Sequence, residues 1–351
     1  MWSKQCIRSA VLAVVFFFSL PWAGPEARAA GYPDMTGSTS DYIPAAAAFL
    51  PALAAPAGPG TALPLLAPFL AGRAAGPACP KPPTPKTPQD TGSTERHFAG
   101  QVLILLYHHL DPRESAITIT PDRFEQHLKA LQMHRYHVVS LEDAIAFLEG
   151  KTTLPANAVV LTFDDGYDSF YRFAYPLLKR HGMTATNFVI VGTIGTSSPY
   201  FTFLSWSQMR EMSCDGFGFY SHTYDLHNDL PGENGRMVTP LDHRIVLEAT
   251  GALETEEDHR QKVLRDLSLA EALLQVRLGN RLSVLSFPHG DYSEDTVSLA
   301  QSVGIRYFAT TTPGLNRPGE HLLRRVHAGM PYISGDELIQ MLSAYDDKRM
   351  K

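Results

Sequence analysis

From about residue 101 onward the apolar positions fall into two alternating patterns. Short, nearly unbroken apolar runs read as strands buried on both faces: "QVLILLY" (101–107), "HVVS" (137–140), "AVVLTF" (158–163), "ATNFVIVG" (185–192), "FGFYS" (217–221), "LSVLSF" (282–287) and "RYFAT" (306–310). Segments with apolar residues at helical spacing separate them. In "PDRFEQHLKALQMHR", Phe124, Leu128 and Leu131 share one face and Pro121 suits the first turn. Ser140 predicts the N-cap of a helix that stops at Gly150, and a further helix runs from about Ser169 to His181. Ser205 and Gln208 are spaced as a capping box. Helices are also predicted over about 256–278, over "EDTVSLAQSVG" and over "SGDELIQMLSAY", with a loop-rich insertion from Asn228 to about Thr255. Strand–helix alternation predicts an α/β fold with a mostly parallel sheet covered by helices, and about seven such units favour a closed barrel over an open sheet.

The first hundred residues are of another kind. Lys4 and Arg8 precede an apolar run from Ala10 to Leu20, and "ARA" ends at Ala29, so residues 1–30 read as a signal peptide, with an uncleaved membrane anchor as the alternative. Residues 31–97 form an Ala/Pro-rich low-complexity linker that ends in the polyproline-like "CPKPPTPKTPQD". Apolar patches around Phe49 and Leu65 leave open a contact with the cell envelope. Residues 98–351 are then the one catalytic domain, and the expected location is extracytoplasmic. The net charge of −6, without a basic cluster, argues against nucleic acid as partner. Removal of Cys6 with the signal leaves Cys79 and Cys214, too few for a disulfide scaffold, although one bond between them stays open.

In an α/β barrel the chemistry lies where strands end. The first strand ends in Tyr107, His108 and His109, and "AVVLTF" runs into Asp164, Asp165 and Gly166. "FGFYS" runs into His222, with His227 five residues on, and "LSVLSF" into Pro288, His289 and Gly290. Five residues apart, His222 and His227 do not share a helix face, but a loop lets both imidazoles meet one point. With an aspartate from another strand they make a two-histidine, one-carboxylate set with open positions. A cation also removes the repulsion between two adjacent aspartates.

"TFDDGY" followed by "SHTYDLH" resembles the first two motifs of the polysaccharide deacetylase family, the NodB-homology domain of carbohydrate esterase family 4. "LLYHHL" ahead of them is similar to the circularly permuted branch, which includes poly-N-acetylglucosamine deacetylases of biofilm export; "SFPHGDYS" resembles that branch's groove motif. The resemblance covers most of 101–327. It implies a distorted, TIM-like (β/α) barrel and a divalent metal, usually zinc, held by Asp165, His222 and His227. It also implies Asp164 as catalytic base and His108 as general acid, with His109 the alternative to His108. Pro288 and Gly290 are implied in the substrate groove, and the backbone N–H near Tyr167 is a candidate oxyanion donor.

Three departures accompany this pattern. His289 stands where the branch carries an aromatic, and either makes the groove floor more polar or is a second proton donor or a stray ligand. The "RxPY" motif whose arginine orients the base is missing, so Arg324 or Arg325 is either its substitute or an ordinary packing arginine. His327 lacks the "LxH" context of the family's C-terminal histidine. Tyr200, Phe201, Phe203 and Trp206 suit sugar stacking or packing equally. The expected function is a secreted, metal-dependent N-deacetylase acting on an N-acetylglucosamine-containing exopolysaccharide. The alternatives are a peptidoglycan or chitin-type deacetylase, another amide or ester hydrolase, and a non-catalytic carbohydrate-binding barrel.

Overall fold

The six residues of β1 (Val102–Tyr107) and of β3 (Ala158–Phe163) are all buried in the computed structural model, which describes residues 97–346. The signal-peptide reading, nearly all of the linker, and Phe49, Leu65 and Cys79 lie outside the described residues. Between β1 and β3 comes β2 (His137–Val138). They are followed by β4 (Thr186–Val189), β5 (Gly218–Ser221), β6 (Val284–Ser286) and β7 (Tyr307–Ala309). The last two strands are β8 (Leu322–Leu323) and β9 (Val326–His327). They form one parallel sheet in the order β8-β7-β6-β5-β4-β3-β1-β9, with β2 beside the first half of β3.

The alternation along β1 shows why both faces are apolar. Val102 and Ile104 join Val160, Phe188, Tyr220, Val284, Ala309 and Leu323 in one cluster, plugged by the helix α2 described below. Side chains from strands right across the sheet meet there, which requires the sheet to curl into a ring. Leu103, Leu105 and Tyr107 point the other way, into the layer of covering helices. The expected α/β, distorted TIM-like barrel is therefore present, with nine strands in place of about seven.

The two additional strands close the ring. β8 pairs with β7 and β9 pairs with β1, and only Arg324 and Arg325 separate them. One short segment thus passes from one edge of the sheet to the other, and the covalent chain bridges the seam. The three residue steps from Leu323 to Val326 span at most about 11 Å, so the edges cannot part. "LLRRVH" shows no apolar run of strand length, which is why periodicity missed it.

Helices begin where their caps predict. Thr120 caps α1 (Pro121–Met133), and Ser140 caps α2 (Leu141–Leu148) by accepting from the Asp143 N–H. The segment from Ser169 opens as a wide π-helical turn over Phe170–Ala174 before α3 (Tyr175–Arg180). Pro176 lacks an N–H, so a regular ladder is broken there. Ser205 and Gln208 form the reciprocal capping box of α4 (Trp206–Cys214). Thr255 starts α5 (Glu256–Leu278), and α6 (Glu294–Ser302) and α7 (Gly335–Leu342) complete the set. No helix among the described residues is long and apolar enough to cross a membrane. Cys214 is disulfide-bonded.

Candidate active site and metal centre

Strand alternation alone would send Asp164 and Asp165 to opposite faces. Asp164 keeps the strand register, its N–H bonded to the Tyr107 carbonyl at 3.0 Å. Asp165 then turns to a φ of 73° and Gly166 to 77°. Aspartate is among the few side chains that tolerate this left-handed region. A Cβ at Gly166 would also lie 3.1 Å from Val189 Cγ1. The reversal brings both carboxylates to one point: His222 Nε2 is 4.0 Å from Asp164 Oδ2 and 3.4 Å from Asp165 Oδ1. His227 Nε2 lies 3.1 Å from the same Asp165 oxygen.

His222 follows β5 and donates from Nδ1 to the Ser286 carbonyl on β6 at 2.8 Å. That bond holds Nδ1 and aims Nε2 at Asp165. The arc to His227 passes through Thr223 at a φ of 70°. A β-branched residue there carries strain of about 1–3 kcal/mol, which the surroundings must over-determine. The N–H groups of Val191 and Gly192 hold the Thr223 and Tyr224 carbonyls at 3.0 and 2.8 Å. The Thr223 hydroxyl accepts from the Leu226 N–H at 3.1 Å.

The donor atoms of Asp165, His222 and His227 lie within 4.8 Å of one another. Tetrahedral zinc with bonds of roughly 2.0–2.1 Å sets its ligand atoms about 3.3 Å apart. The separations of 3.4 and 3.1 Å from Asp165 to the two imidazoles suit that edge. One carboxylate and two imidazoles, with a coordination position left over, fit a catalytic divalent cation. Burial alone would push the Asp165 carboxyl up, but hydrogen bonds from His222 and His227 hold it well below the usual carboxylate range.

Asp164 is held from the other side by Arg325. The guanidinium is fully buried and donates from both terminal nitrogens to the two carboxylate oxygens, at 2.7 and 2.8 Å. Ser286 Oγ joins the pair, donating to Asp164 Oδ2 at 3.1 Å and accepting from Arg325 at 2.9 Å. Ser286 thus binds the aspartate through its hydroxyl and His222 through its carbonyl. Burial raises the Asp164 carboxyl, yet the charges of Arg325 and His222 keep it below its ordinary value. Of the two arginines weighed in the sequence, Arg324 is exposed and Arg325 is not. The handover from β8 to β9 turns Leu323 and Arg325 inward. Read as a strand, "LLRRVH" would have placed Arg325 there; Ser286 gave no signal beyond standing at a strand end.

The adjacent histidines part company. His108 is half-buried; desolvation lowers its basicity, against the attraction of Asp165 and Asp164. The His109 ring meets Thr118 Oγ1 at 3.1 Å and packs edge-on against Tyr167 and Phe201. Tyr167 is enclosed by Phe201 and Phe203. Gly166 O and Asp168 N–H bond to Leu204 and Thr202, and the Tyr167 N–H takes no part in that ladder. Pro288 is buried and Gly290 turns at a φ of 80°. A Cβ at Gly290 would lie 2.1 Å from Thr311 Oγ1, so packing alone demands glycine. His289 Nε2 donates to the His227 carbonyl at 3.0 Å and is outside the donor set. His327, at the end of β9, is exposed and lies outside the donor set.

Residues 151–308 match the family model described as polysaccharide deacetylase. YxkH of Bacillus subtilis, a protein named for that family, is 30% identical over 234 residues, which cover 66% of this chain and 72% of YxkH. The poly-β-1,6-N-acetyl-D-glucosamine N-deacetylase of Staphylococcus aureus is 24% identical over 192 residues, 54% of this chain. This chain spans 60% of that enzyme's length. The solved de-N-acetylase of Aggregatibacter actinomycetemcomitans shares the fold at a TM-score of 0.63 and 23% identity, covering 69% of this chain and 99% of its own.

Proposed function

Since the chain belongs to the polysaccharide deacetylase family, we propose that it is a metal-dependent N-deacetylase acting on an N-acetylglucosamine exopolysaccharide outside the cytoplasm. The observation that carries this is the meeting of Asp165, His222 and His227 beside an aspartate held ionised by a buried arginine. The Staphylococcus aureus relative, by its name, favours a β-1,6-linked polymer over peptidoglycan or chitin-type chains. The N-terminal charge and apolar pattern, together with the disulfide at Cys214, favour an oxidising compartment. The N-terminal segment is then either cleaved or an envelope tether.

Asp165, His222 and His227 hold the cation. Bound there, a divalent ion supplies Lewis acidity, which acidifies water and polarises the acetamide carbonyl. Asp164 takes the proton from the attacking water, and the Tyr167 N–H faces the oxygen on which negative charge develops. As the carbon–nitrogen bond breaks, His108 delivers its proton to the departing amine, leaving acetate and a free amine. Arg325 keeps Asp164 charged for the first step and fixes its plane. With each of these positions filled, nothing favours a binding-only barrel.

Acetate release from β-1,6-linked N-acetylglucosamine oligomers tests the proposal. Stripping the full chain of metal is expected to abolish release, and zinc to restore it. Release that persists in the stripped chain, or fails in the refilled one, sinks it. Side-by-side trials on peptidoglycan and chitin oligomers decide the polymer. His108→Ala is expected to slow release roughly 10²- to 10⁴-fold, and His109→Ala far less. The reverse order would transfer the acid role to His109.

A further inference from the structure

The peptide N–H groups in the middle of the His222–His227 arc do not bond to the sheet. Those of Tyr224 and Asp225 each donate to one oxygen of Asp266 on α5, both at 2.8 Å. Asp266 is 8% exposed, and it lies 41 residues beyond the nearer of its partners. We infer that Asp266 is a positioning residue for the metal centre: its two carboxylate oxygens set the curvature of the arc that aims His227 at Asp165.

The geometry supports this in three ways. First, the arc contains Thr223 in a strained left-handed conformation, so it holds its shape only under restraint. Second, the other restraints act elsewhere: Val191 and Gly192 bind the Thr223 and Tyr224 carbonyls, and the Thr223 hydroxyl binds the Leu226 N–H. Only Asp266 holds the N–H groups of Tyr224 and Asp225 among the described hydrogen bonds. Third, a carboxylate accepts on both oxygens at once, whereas an amide offers one acceptor and turns an NH₂ toward the second N–H.

The charged form of Asp266 is costly to bury. Burial pushes its carboxyl up to about 6, in spite of the two amide donors; Asp225 adds to the rise and Lys262 opposes it. A folded-state value above the ordinary one means that the charged form costs stability at neutral pH. Lys262, one turn earlier on α5, is engaged with Glu254 at the end of the insertion. It supplies a control on the same helix that reaches Asp266 through its charge alone and makes no hydrogen bond to the arc.

The inference rests on reading Asp165, His222 and His227 as the metal site. It is tested by zinc affinity of the full chain, measured by competition with a chromophoric chelator, and by the visible spectrum of the Co²⁺-loaded protein. Melting of the metal-free protein is followed in parallel. Asp266→Asn is expected to weaken zinc binding about 10- to 100-fold and to alter the Co²⁺ bands, with the metal-free melting temperature unchanged or raised. Lys262→Gln is expected to bind zinc as the parent does. Asp266→Glu, which keeps both acceptors on a longer arm, should recover part of the loss, and it also serves if Asp266→Asn does not fold. Undiminished zinc binding in Asp266→Asn, or a loss that follows a fall in metal-free melting, overturns the inference. A parent chain that binds no zinc, or binds it equally after His222→Ala, overturns the metal-site reading instead.

Discussion

Asp164→Asn is expected to slow acetate release at least 10²-fold while zinc binding stays within about twofold of the parent. The two effects separate because the adjacent aspartates meet different partners. Asp165 shares one oxygen between the Nε2 atoms of His222 and His227, whereas Asp164 Oδ2 stays 4.0 Å from His222 and is gripped by Arg325 and Ser286. An amide at position 164 keeps the shape and one acceptor but cannot take a proton from water, a loss in the usual range of 10²–10⁴ for general-base catalysis. Acetate formation per zinc-loaded, folded molecule is the measurement, since the change also deprives Arg325 of its counter-charge. Release within tenfold of the parent would move the base elsewhere. A loss that tracks zinc content would make Asp164 a ligand.

The same pair shows how far the sequence could be read. The carboxylates of "TFDDGY" were visible as an anomaly, because an apolar run does not end in two charges without a reason. The barrel was legible for a similar cause: strands buried on both faces leave continuous apolar runs, and helices announce their caps where a serine stands first, as at Ser140 and Ser205. Arg325 was not legible, because its strand is assembled from two pairs of residues that serve opposite edges of the sheet. Neither half has the length or the apolar density that periodicity detects. The left-handed turn at Asp165 was also hidden, since only its glycine neighbour advertises a reversal. Ser286 meets side chains from other strand ends and Asp266 meets backbone N–H groups of a distant loop, and no spacing in the sequence encodes such contacts.

Removing the arginine should have the largest effect on the fold. Arg325→Met is expected to lower stability by about 3–5 kcal/mol at neutral pH, the usual consequence of leaving one member of a buried ion pair uncompensated. No discount for solvent applies, because Asp164 and Arg325 are both buried. The pH dependence follows from the direction of the Asp164 shift. In the parent its carboxyl lies below the ordinary value, so its contribution is present above that value and is lost as the pH falls through the folded one. Without Arg325, burial and the neighbouring Asp165 push the carboxyl upward instead. Its contribution then survives only in acid and disappears as the pH rises. The deficit of Arg325→Met should accordingly shrink between pH 7 and pH 5, as measured by urea unfolding of the metal-free protein. Arg325→Lys tests the fork: a point charge restores the electrostatic part but cannot reach both oxygens, so stability should recover further than acetate release. A deficit that does not change with pH would mean that Arg325 supports the barrel seam by packing, and that the charge of Asp164 is maintained by other groups.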